Sequence, residues 1–169
     1  EQGETVRFYK YLAYVSSKEG EIDLMAKAEA LAKEAERTSF LCLCQEQQTF
    51  LAAFWERADI TVKGDPLVQQ GLRYNAFQLL QSAGKDGFTN ISAKGLTGEG
   101  YEGHYFWDTE IYILPFFLNN DPAIAKALLT FRYHTLDAAR KRALEIGLSR
   151  GALYPWRTIG GAECSTFFP

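Results

Sequence analysis

The 169 residues contain one Met, two His, three Cys and five Pro, and each scarcity removes a class of function. Cys42, Cys44 and Cys164 form an odd set without metal-ligand spacing. They exclude a disulfide framework and predict buried thiols in a reducing compartment, the cytoplasm. His104 and His134 make no ligand cluster, so neither a metal nor an organic cofactor is expected. No stretch reaches the roughly 20 apolar residues a bilayer span requires, and the N-terminus lacks the basic and apolar regions of a signal peptide. A soluble chain with no membrane partner is expected. Eighteen Lys and Arg face 21 Asp and Glu, a net charge of -3, interspersed and with no basic stripe. Nucleic acid is therefore excluded as a partner. No Met precedes Glu1, and the chain stops at Pro169 after a Gly-rich aromatic segment; both ends read as cut, and a fragment is expected.

What is present is a core and a supply of rings. Hydrophobic residues make up 47% of the chain and aromatic residues 14%, enough to bury a domain core. Polar residues interrupt the rings, a mixture suited to a ring-lined pocket with polar groups.

The opening run Thr5 to Val15 is rich in β-branched and aromatic residues and predicts a strand, the end of an upstream β domain. From Ile22 to Arg37, Leu24, Ala28, Leu31 and Ala35 recur at helical spacing, which predicts an amphipathic helix. A second helix is expected over Ser39 to Arg57, with Ser39 as cap and Phe40, Leu43, Phe50, Leu51 and Phe54 as its buried side. Asp65-Pro66 starts a third helix through Ser82, since Asp caps and Pro is preorganised for the first helical position. Its packed side is expected to carry Leu67, Gly71, Tyr74 and Leu79. Asn90 to His104 is a long Gly-rich loop, and loops of that length are usually functional. Trp107 to Leu118 suits a buried helix or a strand, with Pro115 inside it. Asp121-Pro122 and Thr135 open two further helices, ending at Tyr133 and near Glu145. The expected organisation is residues 1–20 as the end of an upstream domain, 21–62 as a helical linker, and 63–169 as a set of α-hairpins.

Two segments carry candidate chemistry: Lys94 to Glu110, KGLTGEGYEGHYFWDTE, and Gly151 to Thr158, GALYPWRT. Each joins Gly-permitted turns to rings and charges. An indole face stacks on the apolar C–H face of a pyranose, while a neighbouring carboxylate accepts hydrogen bonds from vicinal hydroxyls; Trp107-Asp108 supplies both side by side. Glu99, Glu102 and Glu110 are weaker candidates, because acids in Gly-rich loops are usually solvated and Glu110 can satisfy buried amides. Arg157 is expected in a salt bridge and His134 packed on its helix. The loop matches no nucleotide-binding spacing.

The run Ile91 to Phe117, ISAKGLTGEGYEGHYFWDTEIYILPFF, resembles the signature opening the catalytic barrel of glycoside hydrolase family 65. Gly64-Asp65, Gln69-Gln70, Arg73-Tyr74-Asn75, Leu128-Leu129 to Tyr133, Ala138-Ala139-Arg140 and Gly151 to Trp156 extend the likeness across residues 58 to 163. The resemblance implies a mainly α fold, a partial (α/α)6 barrel of helical hairpins. It also implies inverting phosphorolysis of an α-linked glucose disaccharide such as maltose, kojibiose, nigerose or trehalose, with inorganic phosphate as co-substrate and β-glucose 1-phosphate as product. Trp107 and Asp108 would hold the transferred glucose, with Tyr101, His104 and Trp156 as further substrate contacts. An inverting phosphorylase needs one general acid and a phosphate cradle. The family's general-acid Glu and phosphate loops belong to later segments, so no catalytic residue is expected in this chain and the piece is expected to be inactive alone. The alternatives are a catalytically empty sugar-binding or interaction module, and part of a helical-barrel hydrolase of trehalase or glucoamylase type. An interrupted barrel leaves an apolar flank in the Ile111 to Leu118 region, predicting self-association of the piece; a homodimer is plausible for the parent enzyme.

Overall fold

A computed structural model describes residues 3–20 and 23–165. The chain divides into two compact units, Glu1–Trp55 and Glu56–Pro169.

In the first unit, residues 5–15 carry no regular element, and Ser17–Glu19 form one 3-10 turn. The strand expected there is absent for a physical reason. A strand exists through ladder bonds to a neighbour, and no described segment pairs with this run. Helix α1 spans Leu24–Thr38, capped by Asp23, whose carboxylate accepts from the Ala26 N–H at 3.0 Å. Its Leu24/Ala28/Leu31/Ala35 stripe is nowhere buried. The period specifies a face but does not supply a partner for it. Ser39 sits at φ 74°, donating its N–H to Glu36 O and accepting from Leu43 N at 3.1 Å. It therefore hinges α1 to α2 (Phe40–Ala58) through its backbone instead of capping with its hydroxyl. Of the buried side expected for α2, only Phe54 is buried; Phe40 and Phe50 are exposed.

In the second unit, α3 runs Pro66–Ser82 with Asp65 as N-cap, its carboxylate accepting from Leu67 N at 2.8 Å. The helix matches its expected bounds but not its expected face. Leu67 and Tyr74 are 74% and 61% exposed, and Leu80 is the buried residue. The Gly-rich loop follows. The Trp107 to Leu118 segment then splits into a wide π turn, Thr109–Ile113, and helix α4, Leu114–Asn120. Leu114 donates its N–H to Thr109 O, a five-residue reach. Pro115 has no N–H with which to continue the ordinary ladder, so the turn widens where the helix restarts. Asp121 caps α5 (Pro122–His134) and also bonds the Arg57 guanidinium at 3.0 Å. Thr135 leads into α6 (Leu136–Glu145). The core gathers Leu80, Ile91, Phe106, Phe117, Leu128 and Phe131, with Ala139 and Ala143 from α6.

One element lies outside the expected pattern. Tyr105–Phe106 (β1) and Arg157–Thr158 (β2) pair antiparallel, with Tyr105 opposite Thr158 and Phe106 opposite Arg157. This two-residue ladder ties the signature loop to the second aromatic segment, about 50 residues away in the chain.

Candidate active site

The lip of the site is built on left-handed backbone. Gly100, Tyr101, Glu102 and Gly103 all have positive φ, at 113°, 54°, 50° and 74°. Glycine takes this region freely, whereas Tyr101 and Glu102 are strained there and need outside support. Arg157 supplies it by bonding the Glu102 carboxylate at 2.6 Å, and Tyr101 rests edge-on against Phe106 at 5.2 Å. The His104 N–H closes the turn on Tyr101 O at 2.9 Å.

Above the ladder the rings form a chain. Phe106 meets Trp156 at 5.6 Å, and Trp156 meets Trp107 at 5.6 Å, both edge-to-face. Trp107 donates its indole N–H to Pro155 O at 2.8 Å, which fixes its orientation. A single acidic side chain orders the far side of the segment. Glu163 accepts from Trp156 N at 2.7 Å, Arg157 N at 3.2 Å and Ser165 N at 2.9 Å. Burial by itself would raise the Glu163 carboxyl, but these backbone donors outweigh it and hold the group below its ordinary range.

Together these groups enclose a cavity of about 400 Å³ lined by Asp108, Tyr101, Trp156, Lys94, Ser92 and Thr109, among others. That volume suits a single pyranose ring. Asp108 flanks the π turn without capping it, so its carboxylate is spent on no hydrogen bond among the described residues. Lys94 lies over the Tyr101 ring at 5.7 Å. Among the described residues, Asp108 is the one carboxylate on the cavity lining.

Of the five residues singled out in the sequence, the structure brings Asp108, Tyr101 and Trp156 onto one surface. Trp107 turns into an adjoining, more apolar concavity of about 510 Å³, shared with Ile111, Leu129, Arg132 and Tyr154. His104 does neither. Its Nδ1 lies 2.7 Å from Tyr101 O and 3.3 Å from the Arg157 guanidinium, beneath the lip. Glu110 accepts from the Asn90 side-chain amide, in line with the amide partner expected, and also from the Arg132 guanidinium, which was not expected. His134 packs on Phe88 at 4.7 Å, with Nδ1 3.0 Å from Gly87 O. The thiols depart from expectation: Cys42 and Cys164 are exposed and Cys44 is half-buried, all three free. Among the described residues no group of His, Cys, Asp and Glu could hold a metal, and no helix is long and apolar enough to cross a membrane. The structure also places Ile91, Ser92 and Thr109 on the cavity lining and Arg132 as a buried cation beside it. Nothing in spacing or composition marks them.

The aromatic and acidic surface falls inside a stretch, residues 73–169, that matches the model of the glycosyl hydrolase family 65 central catalytic domain. The chain belongs to family 65. The α,α-trehalose phosphorylase of Thermoanaerobacter brockii is 54% identical over 170 residues, covering the whole of this chain and 22% of that protein. The α,α-trehalose phosphorylase of Geobacillus stearothermophilus is 58% identical over 131 residues, 78% of this chain and 17% of its own length. A solved human-microbiome protein named for kojibiose phosphorylase superposes with a TM-score of 0.78 at 43% identity, over 84% of this chain and 19% of that one. The chain thus spans about a fifth of the length of the curated family 65 relatives it matches. The chain's mainly helical fold is consistent with the helical barrel region of family 65 phosphorylases.

Proposed function

We propose that this chain provides one wall of the glucose site in an inverting family 65 phosphorylase that transfers glucose from an α-linked disaccharide to inorganic phosphate. The observation that carries the proposal is the cavity in which Asp108, Tyr101 and Trp156 meet. Rings there present apolar faces to a sugar, and a carboxylate with no hydrogen bond among the described residues accepts from its hydroxyls. Trp107 serves the same wall by holding Trp156 in place, and His104 by supporting the Tyr101 turn. Residues 63–169 are assigned to the first part of the barrel, 21–62 to a helical linker and 1–20 to the end of an upstream domain. One carboxylate on the lining is enough to hold a sugar. Protonating the leaving oxygen while phosphate attacks the opposite face needs a further acid and an anion cradle, which the proposal places in other parts of the parent enzyme. Three free thiols support a reducing compartment, the cytoplasm.

A titration tests this reading. Glucose and trehalose should change the emission of the chain's tryptophans in a saturable way, and Asp108→Asn should abolish the response. Glucose 1-phosphate release from maltose, kojibiose, nigerose or trehalose should stay at background, since loss of the acid alone costs about 10² to 10⁴ in rate. A response unchanged by Asp108→Asn, or turnover by the chain alone, would overturn it.

The proposal extends to association. Ile111, Tyr112, Leu118, Leu129 and Tyr133 are exposed on the π turn, α4 and α5. At about 25 cal/mol per Å², covering roughly 400 Å² of such surface is worth about 10 kcal/mol before entropy and desolvation costs. The isolated chain should therefore self-associate. Sedimentation at micromolar concentration decides it; a concentration-independent monomer would refute it.

A further inference from the structure

We infer that Arg132 and Glu110 are positioning residues for the sugar wall: one guanidinium closes a bracket around Trp107-Asp108 and holds that dipeptide in register with the cavity. The inference rests on the sugar-site reading above. Arg132, on α5, is 8% exposed. Its Nε and Nη2 each donate to a Glu110 carboxylate oxygen, at 2.8 and 2.7 Å, and Nη2 also donates to Phe106 O at 3.1 Å. Phe106 immediately precedes Trp107, and Glu110 comes two residues after Asp108. The same cation therefore grips the backbone on one side of the dipeptide and the side chain on the other. Inside the bracket, Trp107 O accepts from the N–H groups of Glu110 and Ile111 at 3.1 and 3.2 Å, which starts the π turn.

The bracket reaches the other walls as well. Glu110 accepts from Asn90 Nδ2 at 2.8 Å, and Asn90 Oδ1 accepts from Ile91 N at 2.8 Å; Ile91 lines the cavity. Tyr154 donates its hydroxyl to the Arg132 carbonyl at 3.1 Å. That bond anchors the segment whose next residue, Pro155, accepts the Trp107 indole N–H.

Stability alone is a poor account of the pair. A buried ion pair recovers little more than its desolvation cost, and apolar residues of similar volume often replace it without loss. Here Arg132 Nη1 is also buried with no hydrogen-bond partner among the described residues. What apolar side chains cannot reproduce is the directed fork that fixes two points of the chain at once.

The test separates holding the fold from holding the dipeptide. The probe is D-glucose, and the readouts are hydrogen exchange and ligand shifts of the indole N–H signals in the 15N-labelled chain, with Trp55 as internal reference. The double variant Glu110→Met/Arg132→Met should unfold cooperatively near the wild-type temperature. Its Trp107 indole should nonetheless exchange about fivefold faster or more, the effect of losing one hydrogen bond's worth of order. Glucose affinity should fall by about tenfold or more. Arg132→Lys keeps a cation but not the fork, and should give intermediate exchange; it carries the test alone if the double variant fails to fold. Wild-type exchange at Trp107 in either folded variant overturns the bracket. A wild-type chain whose indoles ignore glucose would instead defeat the sugar reading, while the exchange rates would still decide whether the bracket exists.

Discussion

Replacing Glu163 by Gln exchanges one oxygen for an NH₂ at the edge of the site and should loosen the whole Trp156 segment. The carboxylate is the common acceptor for three backbone N–H groups, those of Trp156, Arg157 and Ser165. Gln retains one acceptor oxygen and places an NH₂ where a second acceptor stood, so at least one donor loses its partner and the remainder lose charge assistance. Hydrogen bonds to charged groups contribute about 1.5–3 kcal/mol each when well buried. Partial exposure of this loop argues for the lower end, giving a loss of roughly 2 kcal/mol in all. For a unit of this size that is about 5–15 °C in melting temperature. The pH dependence provides the discriminating sign. The folded-state pKa of Glu163 is depressed below the ordinary 4.5, so its contribution is fully present above the unfolded value and is lost as pH falls through the folded one. Thermal melts of both proteins from pH 7 to pH 3 should show a gap that is widest near neutrality and narrows below about pH 4. A gap that stays constant to pH 3, or no gap at pH 7, would refute the claim that the charged carboxylate organises this loop.

Further outcomes follow from the core and the caps. Phe117→Ala removes a ring with 0% exposure and should cost about 3–5 kcal/mol in urea unfolding, with the slope unchanged. Asp121→Ala removes both the α5 cap and the Arg57 bond; a loss of about 1–2 kcal/mol by the same measurement is expected, and less than 0.5 kcal/mol would deny it a capping role. Gly161→Ala forces φ +103° on an L residue and brings a Cβ to 3.0 Å from Thr135 Cβ. It should destabilise by about 1–3 kcal/mol, whereas a neutral result would mean that α6 yields to this loop.

What the chain could announce by itself was local. Asp65-Pro66 and Asp121-Pro122 fix helix starts through an acceptor for orphan N–H groups and a preset φ, both properties of neighbouring residues, and both helices begin there. The Gly-rich run with its rings marked the site segment for the same reason: glycines declare a left-handed path without reference to anything distant. The faces of α1, α2 and α3 were not legible, since a helical period says which residues share a side but not whether another element covers it. Leu67 and Tyr74 are accordingly exposed, while Leu80 is buried. The cavity itself belongs to the tertiary structure. Asp108 and Trp156 come together because a two-residue ladder joins Tyr105-Phe106 to Arg157-Thr158, and pairing that short leaves no periodic trace. The Glu110–Arg132 fork bridges 22 residues, from the π turn to α5, and no spacing rule connects positions that only the packing of one element on another brings within 3 Å.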